Sequence, residues 1–192
     1  MEKVEKFIST YINSLSSSIM NSDMEKLHKA AMQILKTIKK DATIYVCGNG
    51  GSAAIANHYV VDFLKFFREK TIYKPKIVSF SNNIETITAI SNDIKYKFVF
   101  KYQAENFCKK NDLIIIVSSS GNSENIIELL KFTKKNKITT IGFSGFKGGY
   151  LKKNSDISVH INAENYGISE DAHHILMHAQ LQYLIKYFSG KN

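Results

Sequence analysis

Short apolar runs that alternate with helix-period segments constrain this chain most. Strands are expected at Thr43–Cys47, Lys76–Phe80, Leu113–Val117, Thr139–Phe143 and Ile157–Ile161. Between them, helical spacing covers Ala53–Phe67, Asn83–Ile90, Ser123–Lys135 and Gly149–Lys153, and a last helix runs from about Ser169 to Phe188. Strands that alternate with helices pair in parallel through right-handed crossovers. The runs IIIV and TIGF are apolar at every position, as strands covered on both faces must be. The expectation is an α/β three-layer sandwich with a parallel sheet. Two helices precede it: Val4, Phe7, Ile8, Tyr11, Ile12 and Leu15 recur at helical spacing, and Ser22-Asp23-Met24-Glu25 reads as a capping box before the face Leu27, Ala30, Ala31, Ile34, Leu35 and Ile38. With Pro75 as its only proline and no linker or repeat, the chain reads as one domain, 1–192, in which residues 1–40 form a helical extension that helps oligomerise.

Composition removes several classes. At 44% hydrophobic, the 192 residues can bury a core. Cys47 and Cys108 are too few for a disulfide framework, the start MEKVEKFIST carries no apolar leader, and no run is long enough to span a membrane, so a cytoplasmic setting is expected. The 26 basic and 17 acidic residues give +9, but the lysines are scattered and not interleaved with aromatics. No nucleic-acid partner is expected; small phosphorylated substrates need only a local positive field.

Ligands of an open parallel sheet bind beyond the carboxyl ends of its strands. Two loops lie at that edge, Gly48-Asn49-Gly50-Gly51-Ser52 and Ser118-Ser119-Ser120-Gly121-Asn122-Ser123. Each runs into a helix, whose N-terminal N–H groups accept phosphate readily. Serine is favoured at helix caps anyway, but the hydroxyls at 118, 119, 120 and 123 exceed what one cap needs. Neither loop has the GK[ST] of a nucleotide P-loop or a GxGxxG, and the second strand ends without an acidic residue, so a small phosphate ester fits better than a nucleotide.

The helix after the first loop carries His58 and Asp62 four apart, on one face. On the last helix Glu170, His174 and His178 drift only ~40° per step and form a stripe. One such pair is a routine helical contact; two together point to a site. They could bind Zn²⁺ or a similar divalent ion, or form an acid–base pair that moves a proton next to a carbonyl. His28 and His160 read as surface or hydrogen-bonded residues, and His173, off the stripe, as structural.

The segments CGNGGSAA…NHYVVDF, ITAISNDIKYKFVF, IVSSSGNSENI, TIGFSGFKGG and EDAHHILMH resemble the sugar-isomerase (SIS) domain family, and within it the phosphoheptose isomerases, over nearly the whole chain. The resemblance implies a five-stranded parallel sheet of flavodoxin-like order and a homotetramer with sites between subunits. It implies conversion of sedoheptulose 7-phosphate into D-glycero-D-manno-heptose 7-phosphate for surface polysaccharide. It assigns the phosphate to Ser52, Ser118, Ser119, Ser120 and Ser123, with Gly50 and Gly51 in the same loop, and sugar contacts to Asn49 and Asp93. The family's metal and acid–base positions fall on His58, Asp62, Glu170 and His178, with Zn²⁺ as the expected ion and Asp62 and His178 as the catalytic pair. Asp62 stands where the family has Glu, Glu170 where it has Gln, and Phe66 where it has a basic residue, with Arg68 nearby. Another phosphosugar isomerase, or a non-catalytic SIS protein binding sugar phosphates or a partner such as a replication initiator, are the rival readings.

Overall fold

A computed structural model describes residues 2–189. The helices are α1 (Glu2–Met20), α2 (Met24–Lys39), α3 (Gly51–Val61), α4 (Arg68–Lys70), α5 (Ile84–Ile90), α6 (Val99–Phe107), α7 (Glu124–Asn136), α8 (Gly149–Asn154) and α9 (Tyr166–Ser189). The strands are β1 (Thr43–Gly48), β2 (Lys76–Ser79), β3 (Leu113–Ser118), β4 (Thr139–Ser144) and β5 (Ile157–His160). They form one parallel sheet in the order β2-β1-β3-β4-β5. The order reverses between β1 and β3, so the two glycine- and serine-rich loops flank the point where such sheets bind ligands.

Strand alternation divides the core. Leu113, Ile115 and Val117 of β3 face a layer built on α2, α3 and α9, with Ile34, Tyr59, Phe63, Leu181 and Leu184. Ile114 and Ile116 face the opposite layer, with Phe100, Ile126, Leu129 and Leu151 from α6, α7 and α8. β3 is buried at every position, as its unbroken apolar run requires. Of the leading helices, α2 belongs to the core through Ala30, Ala31, Ile34, Leu35 and Ile38. α1 lies outside it, with Leu15 and Ile19 half-buried and Val4, Phe7, Ile8 and Ile12 exposed.

Two local readings change. Asp23, not Ser22, caps α2: its carboxylate accepts from the Lys26 amide at 3.0 Å, while the Ser22 hydroxyl donates to the Ile19 carbonyl. The helix therefore starts one residue later than a capping box demands, and Glu25 turns outward to pair with Lys29. Residues 91–107 hold helical structure that the sequence pattern did not reveal: a π turn at Ser91–Lys95, a 3₁₀ turn at Tyr96–Phe98 and then α6. Their β-branched and aromatic residues blur the helical period.

Candidate functional site

The loop after β1 turns through Gly50, a positive-φ residue (φ 53°), and opens α3 at Gly51. Asn49 is held by a reciprocal amide pair with Asn125, at 2.8 and 3.0 Å, and accepts from the Tyr96 hydroxyl at 2.8 Å. Asn49, Tyr96, Ser123, Glu124 and Asn125 line a cavity of about 600 Å³ together with Lys95 and Lys97. In the loop after β3, Ser118 Oγ accepts from the Gly121 amide and Ser120 Oγ from the Asn122 amide. Ser119 Oγ is buried without a partner, and Ser123 precedes α7 without making a side-chain cap. These hydroxyls are therefore not all consumed by capping, which leaves them available to an anion. Ser52 is buried in the first turn of α3. Asp93 is exposed in the π turn, bonded by Asn92, and does not line this cavity.

The shape of the second loop depends on Gly121 (φ 65°), where a Cβ would collide with the backbone carbonyl of Gly148. Gly121→Ala is expected to destabilise the fold by roughly 2–4 kcal/mol, from left-handed strain and a clash that no rotamer relieves. A urea titration beside the wild type measures this.

The imidazoles gather further along α3, against α9. His58 and Asp62 face α9, where His174 and His178 sit one turn apart. Asp62 Oδ1 lies 3.5 Å from His58 Nε2, and Oδ2 lies 3.3 Å from His178 Nε2. Ring centroids are 4.8 Å apart for His58–His174 and His58–His178, and 4.3 Å for His174–His178. Asp62 is 3% exposed. Burial raises its carboxyl above the ordinary range, and His178, His58 and His174 oppose that rise. Burial likewise lowers His174, helped by the neighbouring imidazoles. A π turn, Asp62–Phe67, begins at Asp62 itself and buries Asp62, Phe63 and Phe67 together. A wider turn of this kind is common where a helix serves a site. Tyr59 donates to Gln180 at 2.7 Å, and Gln180 donates to the Leu27 carbonyl, so α2, α3 and α9 are pinned beside the cluster. His58, Asp62, Phe66, Lys70, His178 and Lys186 line a cavity of about 670 Å³.

The structure thus brings His58, Asp62 and His178 together, but not Glu170. Its carboxylate rests over Gly51 at the start of α3, where any added Cβ would run into it. His174 joins the cluster instead. Its signal in the sequence was its four-residue spacing from His178; Asn125 and Tyr96, far from Asn49 along the chain, gave none. A metal ion fits the donor set: the donor atoms of His58, His174 and His178 lie within 4.8 Å of one another, and two nearby polar atoms, Asp62 Oδ2 and His174 Nε2, are buried without a hydrogen-bond partner. Asp62 Oδ2 is within ion-pair reach of His178 yet not aligned for a hydrogen bond. His28 meets the Tyr183 hydroxyl, His160 meets Ser144 Oγ at 3.1 Å, and His173 is wholly buried. Among the described residues no helix is long and apolar enough to cross a membrane.

Comparison with known proteins identifies the family. Residues 7–145 match the SIS domain model. The chain is 34% identical over 169 residues to a probable phosphoheptose isomerase of Thermoplasma acidophilum, covering 88% of this chain and 92% of that protein. It is 34% identical over 168 residues to the phosphoheptose isomerase of Clostridium acetobutylicum, covering 88% and 85%. In structure it resembles the phosphoheptose isomerase of Neisseria gonorrhoeae, with a TM-score of 0.85, 25% identity, and 95% and 98% of the two chains covered. Fold, loops and sequence together make this chain a member of the SIS domain family, in its phosphoheptose isomerase group.

Proposed function

We propose that the protein isomerises sedoheptulose 7-phosphate to D-glycero-D-manno-heptose 7-phosphate, a step towards surface-polysaccharide heptose. The observation that carries this reading is the buried Asp62 carboxylate set between the His58 and His178 imidazoles beside an open cavity. Asp62 takes a proton from C1 of the open-chain ketose while His178 protonates the C2 oxygen. Asp62 then delivers the proton to C2 of the enediol while the C1 hydroxyl gives its proton back to His178 and becomes the aldehyde carbonyl, so no oxidant is consumed. Burial keeps Asp62 more basic than an exposed carboxylate, which suits proton abstraction.

The phosphate is assigned to Ser52, Ser118, Ser119, Ser120 and Ser123, supported by the unpartnered Ser119 hydroxyl and the uncapped Ser123. Asn49, Gly50, Gly51 and Asp93 are assigned to the sugar side, and the Tyr96 and Asn125 bonds to Asn49 favour a fixed contact there. Zn²⁺ is the expected ion, with His58 and His178 as donors; when bound it would supply Lewis-acid polarisation of the substrate oxygen. The anion loops and the acid–base set line separate cavities of one protomer, and α1 exposes Val4, Phe7, Ile8 and Ile12. Both features support a homotetramer in which neighbouring subunits complete each site, with α1 at the contact.

Incubating the protein with sedoheptulose 7-phosphate in D₂O, with and without added zinc, tests the reading. Formation of the aldose with deuterium at C2 is expected. No turnover under either condition would sink it.

A further inference from the structure

We propose that the metal centre of this chain is a three-imidazole site, His58, His174 and His178, in which His174 takes the place that the family pattern gives to position 170. The proposal deepens the isomerase reading, whose cavity it shares, but its geometry does not depend on the identity of the sugar.

Helix geometry comes first. His174 and His178 are four apart on α9 and share a face, a spacing with which one helix can grip zinc through two imidazoles. His58 comes from α3, on the opposite wall. The donor atoms of the three rings already lie within 4.8 Å of one another. Tetrahedral zinc with Zn–N bonds of 2.0–2.1 Å holds its donors about 3.4 Å apart, so side-chain rotations alone can close the set. The rings meet at centroid distances of 4.3 and 4.8 Å, so no residue separates them.

His174 Nε2 is buried and has no hydrogen-bond partner. Buried polar atoms are rarely left so, and an orphan nitrogen on a ring packed beside two further imidazoles can be satisfied by a cation held among the three. Glu170 lies one turn earlier on α9, yet its carboxylate is held against Gly51 at the mouth of α3. Three imidazoles with one open position match the ligand count of a catalytic zinc site. They leave Asp62 outside the required donors and free to carry the proton; His178, when it ligates the ion, gives up the acid role, which the ion's Lewis acidity would take over.

The test uses metal-stripped full-length protein, Co²⁺ and Zn²⁺, and no sugar. Affinity is measured by competition with a chromophoric chelator, and coordination by the visible bands of Co²⁺. The wild type should bind one ion per chain with the strong absorption of a low-coordinate site. His174→Ala should lose about 100-fold or more in affinity, whereas Glu170→Gln should stay within about threefold of the wild type. If His174→Ala does not fold, His174→Cys decides the matter: a thiolate-to-cobalt charge-transfer band in the near ultraviolet is expected, and its absence counts against the proposal. Loss of binding in Glu170→Gln with retention in His174→Ala overturns it, as does a wild type that binds neither ion. Cobalt binding through His174 in a protein that never turns over the sugar would sink the isomerase reading and leave this site standing. Turnover by a chain that binds no metal would do the reverse.

Discussion

Asp62→Asn is expected to lower kcat/KM for sedoheptulose 7-phosphate by about 10³-fold or more, with the fold retained. Asparagine keeps the shape of the side chain but cannot take a proton from carbon, and positioned acid–base groups are each worth roughly 10²–10⁴ in rate. His178→Ala should cost at least about 10²-fold. The double variant should lose little more than the worse single one, because the two groups act as a unit. Exchange of the C1 hydron with D₂O gives a readout that a merely structural defect would not mimic: Asp62→Asn should abolish exchange even when substrate saturates the site. Activity within about tenfold of the wild type in both variants would remove the pair from the mechanism. The pH profile follows from the same burial. Because Asp62 titrates above the ordinary carboxylate range, the acid limb of kcat/KM should lie above that range, with activity rising as pH rises and Asp62 ionises.

The second large effect is on stability in acid. His173 is wholly buried, both of its ring nitrogens lack partners, and burial pushes it down from 6.5 to about 4. Between those values the unfolded chain binds a proton that the folded chain refuses, so stability is fully present above pH 6.5 and is lost as pH falls towards 4. The whole interval corresponds to about 3 kcal/mol, of which about 2 kcal/mol should be lost between pH 7 and pH 5. His160, lowered by burial and by Lys152, acts in the same direction. Asp62, raised by burial, acts in the opposite one, since its folded state gains from protonation. Urea titrations of the metal-stripped protein at the two pH values measure the sum. His173→Leu should flatten the dependence by about 2 kcal/mol whatever its effect at pH 7. An unchanged slope in that variant would exclude His173 as the source.

The core was readable because it obeys local periods. The β3 run predicts a strand covered on both faces, and the structure buries all of it. Asn49 and Ser123 were legible as loop residues beyond strand ends, yet their meeting in one cavity, with Asn125 locking Asn49 and with Lys95 and Lys97 in the lining, was not. Nothing in the local pattern around Asn125 distinguishes it from any polar residue in the first turn of a helix. α6 escaped for a related reason: Tyr96 to Phe107 mixes aromatic, basic and β-branched residues, and its helical state comes from packing Val99, Phe100 and Ala104 under the sheet.

By itself the sequence determined the layered fold, the loops that receive an anion and the two helix faces that carry imidazoles and acids, because each is set by spacing within one element. Only the tertiary structure decided which of those groups meet. The approach of α3 to α9 is fixed by Tyr59, Phe63 and Leu181 in the shared core and by the Tyr59–Gln180 bond. That packing brings His174 to His58 and leaves Glu170 at the mouth of α3, a choice between two residues of one helical stripe that no local period can make.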